Sequence, residues 1–320
     1  MAGVKKALVS IALALFAAIA AAQSHPPKPI HLIVAFPPGG PVDIVARLLA
    51  PKMGETLGQP FVVENRAGAG GNVPTAQVAK SAPDGYTLLA HSASYAINPS
   101  LWTNAGYDAE KDFAAVAVVA LQPNLIVVND TFPAKTLAQL LDMARQQPLA
   151  YASPSSGTTA HLTAENLFRL HAHVPITHIP FKGAGPAVAA VVAGEPPIGS
   201  LGASGPMVQI KAGRLRALAV SARARLSALP DVPTLGELGF RGMEDYVWIG
   251  LFAPAGAPPN VLRALNDAAR KAVQVPEIRE RLIALGFDPA SESLAETARF
   301  VHEEIGKWGR VVRETGAKAE

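Results

Sequence analysis

Three short polar loops, each between a predicted strand and a predicted helix, carry the residue types that bind small anions. They are residues 36–43 (FPPGGPVD), 92–94 (SAS) and 153–161 (SPSSGTTAH). Helix N-termini and nearby hydroxyls bind anions, and ligands of open α/β sheets lie beyond the carboxyl ends of the strands. Together the loops predict an anion-binding site, although each could also be an ordinary tight turn whose glycines serve only backbone geometry.

A serine hydrolase is one alternative for the third loop. Ser155 or Ser156 could act as a nucleophile with His161 as its base. However, these residues lie on a turn that enters a helix, and the chain has no GxSxG nucleophile elbow. We therefore expect His161 to bond or pack locally at the helix start, and we expect no catalytic residues.

Nucleotide and metal sites are further alternatives. Residues 68–71 form a glycine-rich turn, but Val73 stands where the last glycine of a GxGxxG motif would be, and no GxxxxGK[ST] loop occurs. The four histidines between residues 161 and 178 match no metal-ligand spacing, and the chain has no cysteine. The sequence therefore predicts neither a cofactor nor a metal.

Strand and helix patterns alternate along the chain and then restart, which is typical of two α/β units with parallel sheets. The 320 residues also suit two domains. Connecting strands at 116–119, 125–128 and 247–252 suggest a hinge made of strands. The other predicted strands are 30–36, 60–65, 86–90, 150–153, 176–180, a short one around 198, and 215–221. The predicted helices are one from 41 to before Gly58, 73–81, 136–147, 158–171, 184–193, 206–212 and most of 258–315.

The N-terminus predicts export. Lys5 and Lys6 precede an apolar run over residues 7–19 and three alanines at 20–22, which is the pattern of a cleaved signal peptide. The run is shorter than the ~20 apolar residues of a spanning helix. Loss of the two lysines brings the net charge of +3 close to neutral. Because no basic run is interleaved with aromatics, we do not expect nucleic acid as a partner.

From residue 28 to about 316, the chain resembles the substrate-binding receptors of tripartite tricarboxylate transporters, the Bug or TctC-type family. The motifs that carry the resemblance occur in family order and include PIHLIVAFPPGGPVDIVAR, SPSSGTTAHL, HIPFKGAGPA and WIGLFAPAGAP. The resemblance implies a periplasmic, monomeric Venus-flytrap protein, type II-like, with a ligand cleft between two α/β domains. It also implies a small carboxylate as ligand, either a di- or tricarboxylate or an aromatic one, and membrane permease subunits as partners.

The resemblance and the loops together give the expected domains and site. Domain 1 is expected over residues 23–124 and 250–320, domain 2 over 125–249, and the signal peptide over 1–22. The predicted ligand-binding residues are Phe36, Pro38, Gly39, Gly40, Asp43, Ser92, Ser94, Ser153, Ser155, Ser156, Gly157, Thr158, His161, Gly183, Ala184 and Gly202.

One departure from the family pattern concerns the ligand. Receptors of this kind often have an acidic residue in the segment after Gly194, whereas here it reads EPPIGSLGASG, with no acid after Glu195. We therefore expect a carboxylate without an amine, and room for a bulky or aromatic body beside Gly199, Gly202 and Ala203. A receptor that signals rather than delivers its ligand remains an alternative, because it would use the same cleft.

Overall fold

The computed structural model of the chain describes residues 28–319, so the predicted signal peptide lies outside the described residues. None of the helices in this range is both long and apolar enough to cross a membrane.

The first sheet begins with three parallel strands, as expected from the alternating pattern. β1 (Ile30–Val34) lies between β2 (Phe61–Asn65) and β3 (Thr87–Ser92). β9 (Tyr246–Pro254) pairs antiparallel with β3, and it also pairs with β4 (Phe113–Asn129). Apart from the exposed His31, β1 is buried, which explains its nearly continuous apolar run.

The second sheet is smaller and repeats the parallel arrangement. β5 (Leu149–Ser153) pairs in parallel with β6 (Ile176–Pro180) and with β7 (Ile198–Gly202). The sheet is completed by β8 (Leu215–Val220), which pairs antiparallel with β4, as does β7. The two-residue strand β10 (Asp288–Pro289) also pairs with β4, but in the first sheet.

β4 joins the two sheets. Its residues 113–123 pair with β9 in the first sheet, and its residues 124–129 pair with β7 and β8 in the second. The two strands predicted at 116–119 and 125–128 are thus one strand of 17 residues. β9 does not cross between the sheets as predicted, because its whole length pairs within the first sheet.

Helices cover both faces of each sheet. The buried hydrophobic residues between helices and sheets form four clusters, two beside each sheet. The helices of the first sheet are α1 (Pro41–Leu57), α2 (Asn72–Ala79), α3 (Ser94–Leu101), α8 (Pro259–Gln274), α9 (Pro276–Ala284) and α10 (Leu294–Thr315). Those of the second are α4 (Leu137–Gln146), α5 (Thr159–Glu165), α6 (Ala184–Ala193) and α7 (Met207–Lys211). The helix predicted over 158–171 is α5 followed by a π-helical segment, Asn166–His171.

Candidate functional site

A cavity of about 790 Å³ lies between the two sheets, at the carboxyl ends of strands from both. Its first-sheet wall consists of residues 35–42, 67–71 and 92. Its second-sheet wall consists of residues 154–155, 158–160, 181–186, 188, 201–202 and 205. Gln122 of β4 and Val247 of β9 lie where the two walls meet. This is where ligands bind in open α/β sheets.

The predicted site residues divide into those that line the cavity and those that lie behind its walls. The lining ones are Phe36, Pro38, Gly39, Gly40, Ser92, Ser155, Thr158, Gly183, Ala184 and Gly202. Behind the walls lie the buried Asp43, Ser94, Ser153, Gly157 and His161, and the half-buried Ser156 does not line the cavity either. The three predicted loops therefore do meet around one space, although several of their polar side chains face away from it.

Asp43 holds the first loop from behind. Its carboxylate is 4% exposed and accepts hydrogen bonds from the N–H of Gly39 (2.9 Å), Nε of Arg47 (2.9 Å) and Nδ2 of Asn65 (2.8 Å). Nδ2 of Asn65 also donates to the carbonyl of Phe36 at 3.1 Å. The backbone of the loop is thereby fixed at Phe36 and at Gly39 relative to α1 and β2.

Two long helices begin at the cavity without a capping side chain. α1 follows Gly40 and α6 follows Gly183, and neither N-cap makes a side-chain hydrogen bond. The first N–H groups of a helix have no partner within the helix, and they carry partial positive charge. One such helix end from each sheet therefore offers hydrogen-bond donors to an anion in the cavity.

The loop after β5 is held by its own hydroxyls. Oγ1 of Thr158 accepts the N–H of His161 at 3.2 Å, which caps α5, and donates to the carbonyl of Ser155 at 2.9 Å. Oγ of Ser153 donates to the same carbonyl at 3.1 Å, and its other neighbour is Nε2 of His178 at 2.7 Å. The direction of this second hydrogen bond follows from the tautomer of His178, because a neutral imidazole nitrogen either donates or accepts.

Two histidines lie stacked beneath this loop. The rings of His161 and His178 are 3.9 Å apart, centroid to centroid. Burial lowers the pKa of His161 to about 3, with a further contribution from His178, and burial lowers the pKa of His178 to about 4. Nδ1 of His161 accepts the N–H of Gly157 at 3.3 Å rather than a serine hydroxyl. At neutral pH both rings are uncharged, so they support the loop without adding charge to the cavity.

The wall of the cavity has few ionisable side chains. Among residues 28–319, the wall contains one ionisable side chain, the exposed Lys182, and no carboxylate. Gln122 is fully buried, and its Oε1 accepts the N–H of Ser204 at 2.8 Å, which fixes the orientation of the amide. Within the described chain, neither Nε2 of Gln122 nor Oγ1 of the buried Thr159 has a hydrogen-bond partner.

The model of the tripartite tricarboxylate transporter family receptor matches residues 45–317. The chain belongs to this receptor family. Protein BugT of Bordetella pertussis is 38% identical over 314 residues, which cover 97% of this chain and 96% of that protein.

Solved structures agree with this assignment. The periplasmic binding protein BugD has a TM-score of 0.85 and 31% identity, covering 92% of this chain and 100% of its own. An R. palustris protein solved with adipate has a TM-score of 0.86 and 32% identity, with 92% and 99% covered. MatC of Rhodopseudomonas palustris, with bound malate, has a TM-score of 0.83 and 33% identity, with 90% and 99% covered. The predicted two-domain Venus-flytrap architecture is confirmed.

Sequence reasoning missed several lining residues of this receptor. The glycine-rich turn at residues 68–71 was not among the predicted site residues, yet together with Ala67 it forms part of the first-sheet wall. Lys182 carries no local signal, because a lysine after a strand is usually a solvated surface residue. Gln122 did have a signal, since it is a polar residue in a strand that is otherwise almost wholly apolar.

The space expected beside Gly199 and Ala203 is absent from the cavity. A Cβ on Gly199 would lie 2.9 Å from Val191 and 3.1 Å from Val127, so this glycine serves packing between β7 and its neighbours. Ala203 is fully buried and does not line the wall. Gly202 does line it, and a Cβ there would come within 2.9 Å of Nε2 of Gln122. Among residues 28–319, no group of three or more histidine or acidic side chains could hold a metal.

Proposed function

We propose that this receptor binds a small carboxylate without an amino group in the cavity between its sheets. The observation that carries the proposal is the polarity of the wall, which has two uncapped helix N-termini and one ammonium but, among the described residues, no carboxylate. Such a wall favours oxygen acceptors, and it offers an ammonium group no counter-charge.

The related structures support the same ligand class. One protein of this fold at 32% identity was solved with adipate, and another at 33% identity with malate. Both ligands are carboxylates that lack an amine. We further propose that the loaded receptor works in the periplasm and delivers its ligand to the membrane permease subunits of a tripartite transporter, as the family assignment suggests.

A thermal-shift screen of the mature chain against a carboxylate library tests the ligand class. A ligand at 100 times its Kd stabilises the fold by about 2.7 kcal/mol. We expect stabilisation by dicarboxylates such as adipate or malate, followed by calorimetry that gives little binding of aspartate or glutamate. Tight binding of the two amino acids, with none of the amine-free carboxylates, would overturn the proposal.

Gly40→Val tests whether the carboxylate binds in the cavity beside the first loop. Gly40 has φ −80°, and an added Cβ meets only the carbonyl of Pro37, at 3.6 Å, so the fold should tolerate a side chain there. The valine would instead crowd the donors at the start of α1, and we expect a large loss of affinity with little loss of stability. Gly306→Val is the matched control, because Gly306 lies in α10 with nothing within 4 Å of an added Cβ. Unchanged affinity in Gly40→Val would remove the first loop from the site.

A further inference from the structure

The charge in the cavity is unequally distributed between the two walls. The first-sheet wall, within the described chain, has no ionisable side chain and offers an anion only backbone donors and the hydroxyl of Ser92. The second-sheet wall has Lys182. In the described residues no carboxylate pairs with the ammonium of Lys182, whereas Lys52, Lys111 and Lys307 each have an acidic partner.

The backbone on either side of Lys182 is anchored to the neighbouring loop. The N–H of Phe181 donates to the carbonyl of Ser153 at 2.9 Å, and the N–H of Gly183 donates to the carbonyl of Pro154 at 2.8 Å. These bonds fix the point from which the lysine side chain leaves the wall. The lysine side chain can change its conformation, but the backbone that carries it at the cavity is held in place.

Lys182 places the full positive charge of its ammonium next to the partial positive charge at the N-terminus of α6. Gly183 is the N-cap of α6, a helix of 10 residues, and no side chain caps it. In the same wall, Oγ1 of Thr159 is buried and has no partner in the part of the chain that the structure describes. The second-sheet wall therefore has unused donors and a net positive charge, separate from the helix end that α1 presents across the cavity.

We propose that Lys182 binds a second anionic group of the ligand and thereby selects dicarboxylates over monocarboxylates. This inference rests on the proposed function: one carboxylate binds at the start of α1, and the second binds at Lys182 and the start of α6. A monocarboxylate occupies only one of these two positions, and water occupies the other.

Calorimetry with adipate and hexanoate tests this selection, because the two ligands share six carbons and differ in the second carboxylate. At close range and in solvent, one charge pair corresponds to about a five- to tenfold change in Kd. We expect Lys182→Gln to weaken adipate binding by that factor and hexanoate binding by much less. Lys182→Arg should retain most of the preference, since it keeps the charge.

Salt and a control lysine distinguish the charge of Lys182 from the packing of its side chain. The preference of the wild-type protein for adipate should shrink as ionic strength rises, because an exposed charge is screened. Lys211→Gln alters another exposed lysine of the second-sheet half that does not line the cavity, and it should leave both affinities unchanged.

Three outcomes would overturn the inference: equal binding of adipate and hexanoate by the wild-type protein, equal weakening of both in Lys182→Gln, or no change in either. Failure of the proposed function is separate, because no amine-free carboxylate would then stabilise the wild-type protein. If the library yields another dicarboxylate, that compound and its monoacid analogue replace the pair.

Discussion

On the first-sheet side of the cavity the wall is largely backbone, from the proline- and glycine-rich residues 35–42 and 67–71. On the second-sheet side, hydroxyls and the ammonium of Lys182 join the backbone. The groups behind the two walls differ as well. A charged group, Asp43, holds the first wall, whereas the neutral stack of His161 and His178 lies under the second.

This difference separates two tasks within one site. The first wall has a fixed shape, because three donors from α1, β2 and the loop converge on one carboxylate. The second wall offers the side chains that can distinguish one carboxylate from another. The first wall would then set the shape of the site and the second wall would select the ligand. Ligand preference could change by substitution in the second wall without disturbing the helix end that we propose for the shared carboxylate.

Asp43→Ala should produce the largest effect. It leaves the N–H of Gly39 without its acceptor. It also removes one of the two acceptors of Asn65 Nδ2, which keeps the carbonyl of Phe36, and one of the two partners of Arg47, which keeps Oδ1 of Asn65. Hydrogen bonds to a buried charge are worth about 1.5–3 kcal/mol each, and part of that loss is recovered by water. We expect the free energy of unfolding to fall by about 2–3 kcal/mol, measured by urea denaturation, and carboxylate affinity to fall with it.

Asp142→Ala is the control for that change. Asp142 is exposed on α4 and pairs with Arg145 at 2.6 Å. Exposed pairs of this kind contribute little, so stability should stay within about 0.5 kcal/mol of the wild-type value. If Asp43→Ala behaves like Asp142→Ala, the first wall is not held by its carboxylate and the contrast between the walls is lost.

Gly157→Ala should have an intermediate effect, because it acts where the two halves touch. Gly157 has φ +77°, and an added Cβ would lie 2.7 Å from Cδ2 of Leu101 and 2.8 Å from Oδ1 of Asn98, both on α3 of the first half. The methyl group should hold the second loop away from α3. We expect ligand affinity to fall about tenfold by calorimetry and the ligand-induced decrease in radius of gyration to shrink.

Gly194→Ala is the control for Gly157→Ala, because it introduces the same backbone strain without a steric clash. Gly194 has φ +82°, but nothing lies within 4 Å of an added Cβ, and it ends α6 away from the cavity. It should lose stability through strain, of about 1 kcal/mol, and keep its affinity. Equal loss of affinity in the two variants would mean that Gly157 does not govern the approach of the halves.

The sequence predicted the local part of this arrangement better than the distant part. The loop at residues 36–43 was visible because an apolar strand, a Pro-Gly turn and a helix start follow each other directly. The role of Asp43 was not, because Asn65 is 22 residues away and only the fold brings it close. β4 was predicted as two strands, and the residues between them include Pro123, a residue type that normally interrupts a strand. Here Pro123 lies at the point where β4 leaves β9 and joins β7 and β8.

Low pH should lower the stability of the second half more than that of the first. Near neutral pH this effect is smaller than the effects of the substitutions above. The first half has one buried histidine beneath its wall, His91, whose pKa burial lowers to about 4. The second half has His161 and His178, at about 3 and about 4. Each imidazole takes up a proton more readily in the unfolded chain, with a pKa of about 6.5 there. The stability that each contributes is therefore complete above about pH 6.5 and declines as pH falls toward the folded value.

His178→Gln measures that contribution. A glutamine amide has both a donor and an acceptor, so it can keep a hydrogen bond with Ser153 in either direction. Between pH 6 and pH 5, each buried neutral histidine makes the free energy of unfolding depend on pH by up to about 1.4 kcal/mol per unit. We expect urea denaturation of His178→Gln to show a slope smaller by about that amount, while His302→Gln, which changes an exposed imidazole, keeps the wild-type slope. An unchanged slope in His178→Gln would mean that His178 does not lie neutral and buried under the second wall, because its removal would then have cost no proton uptake on unfolding.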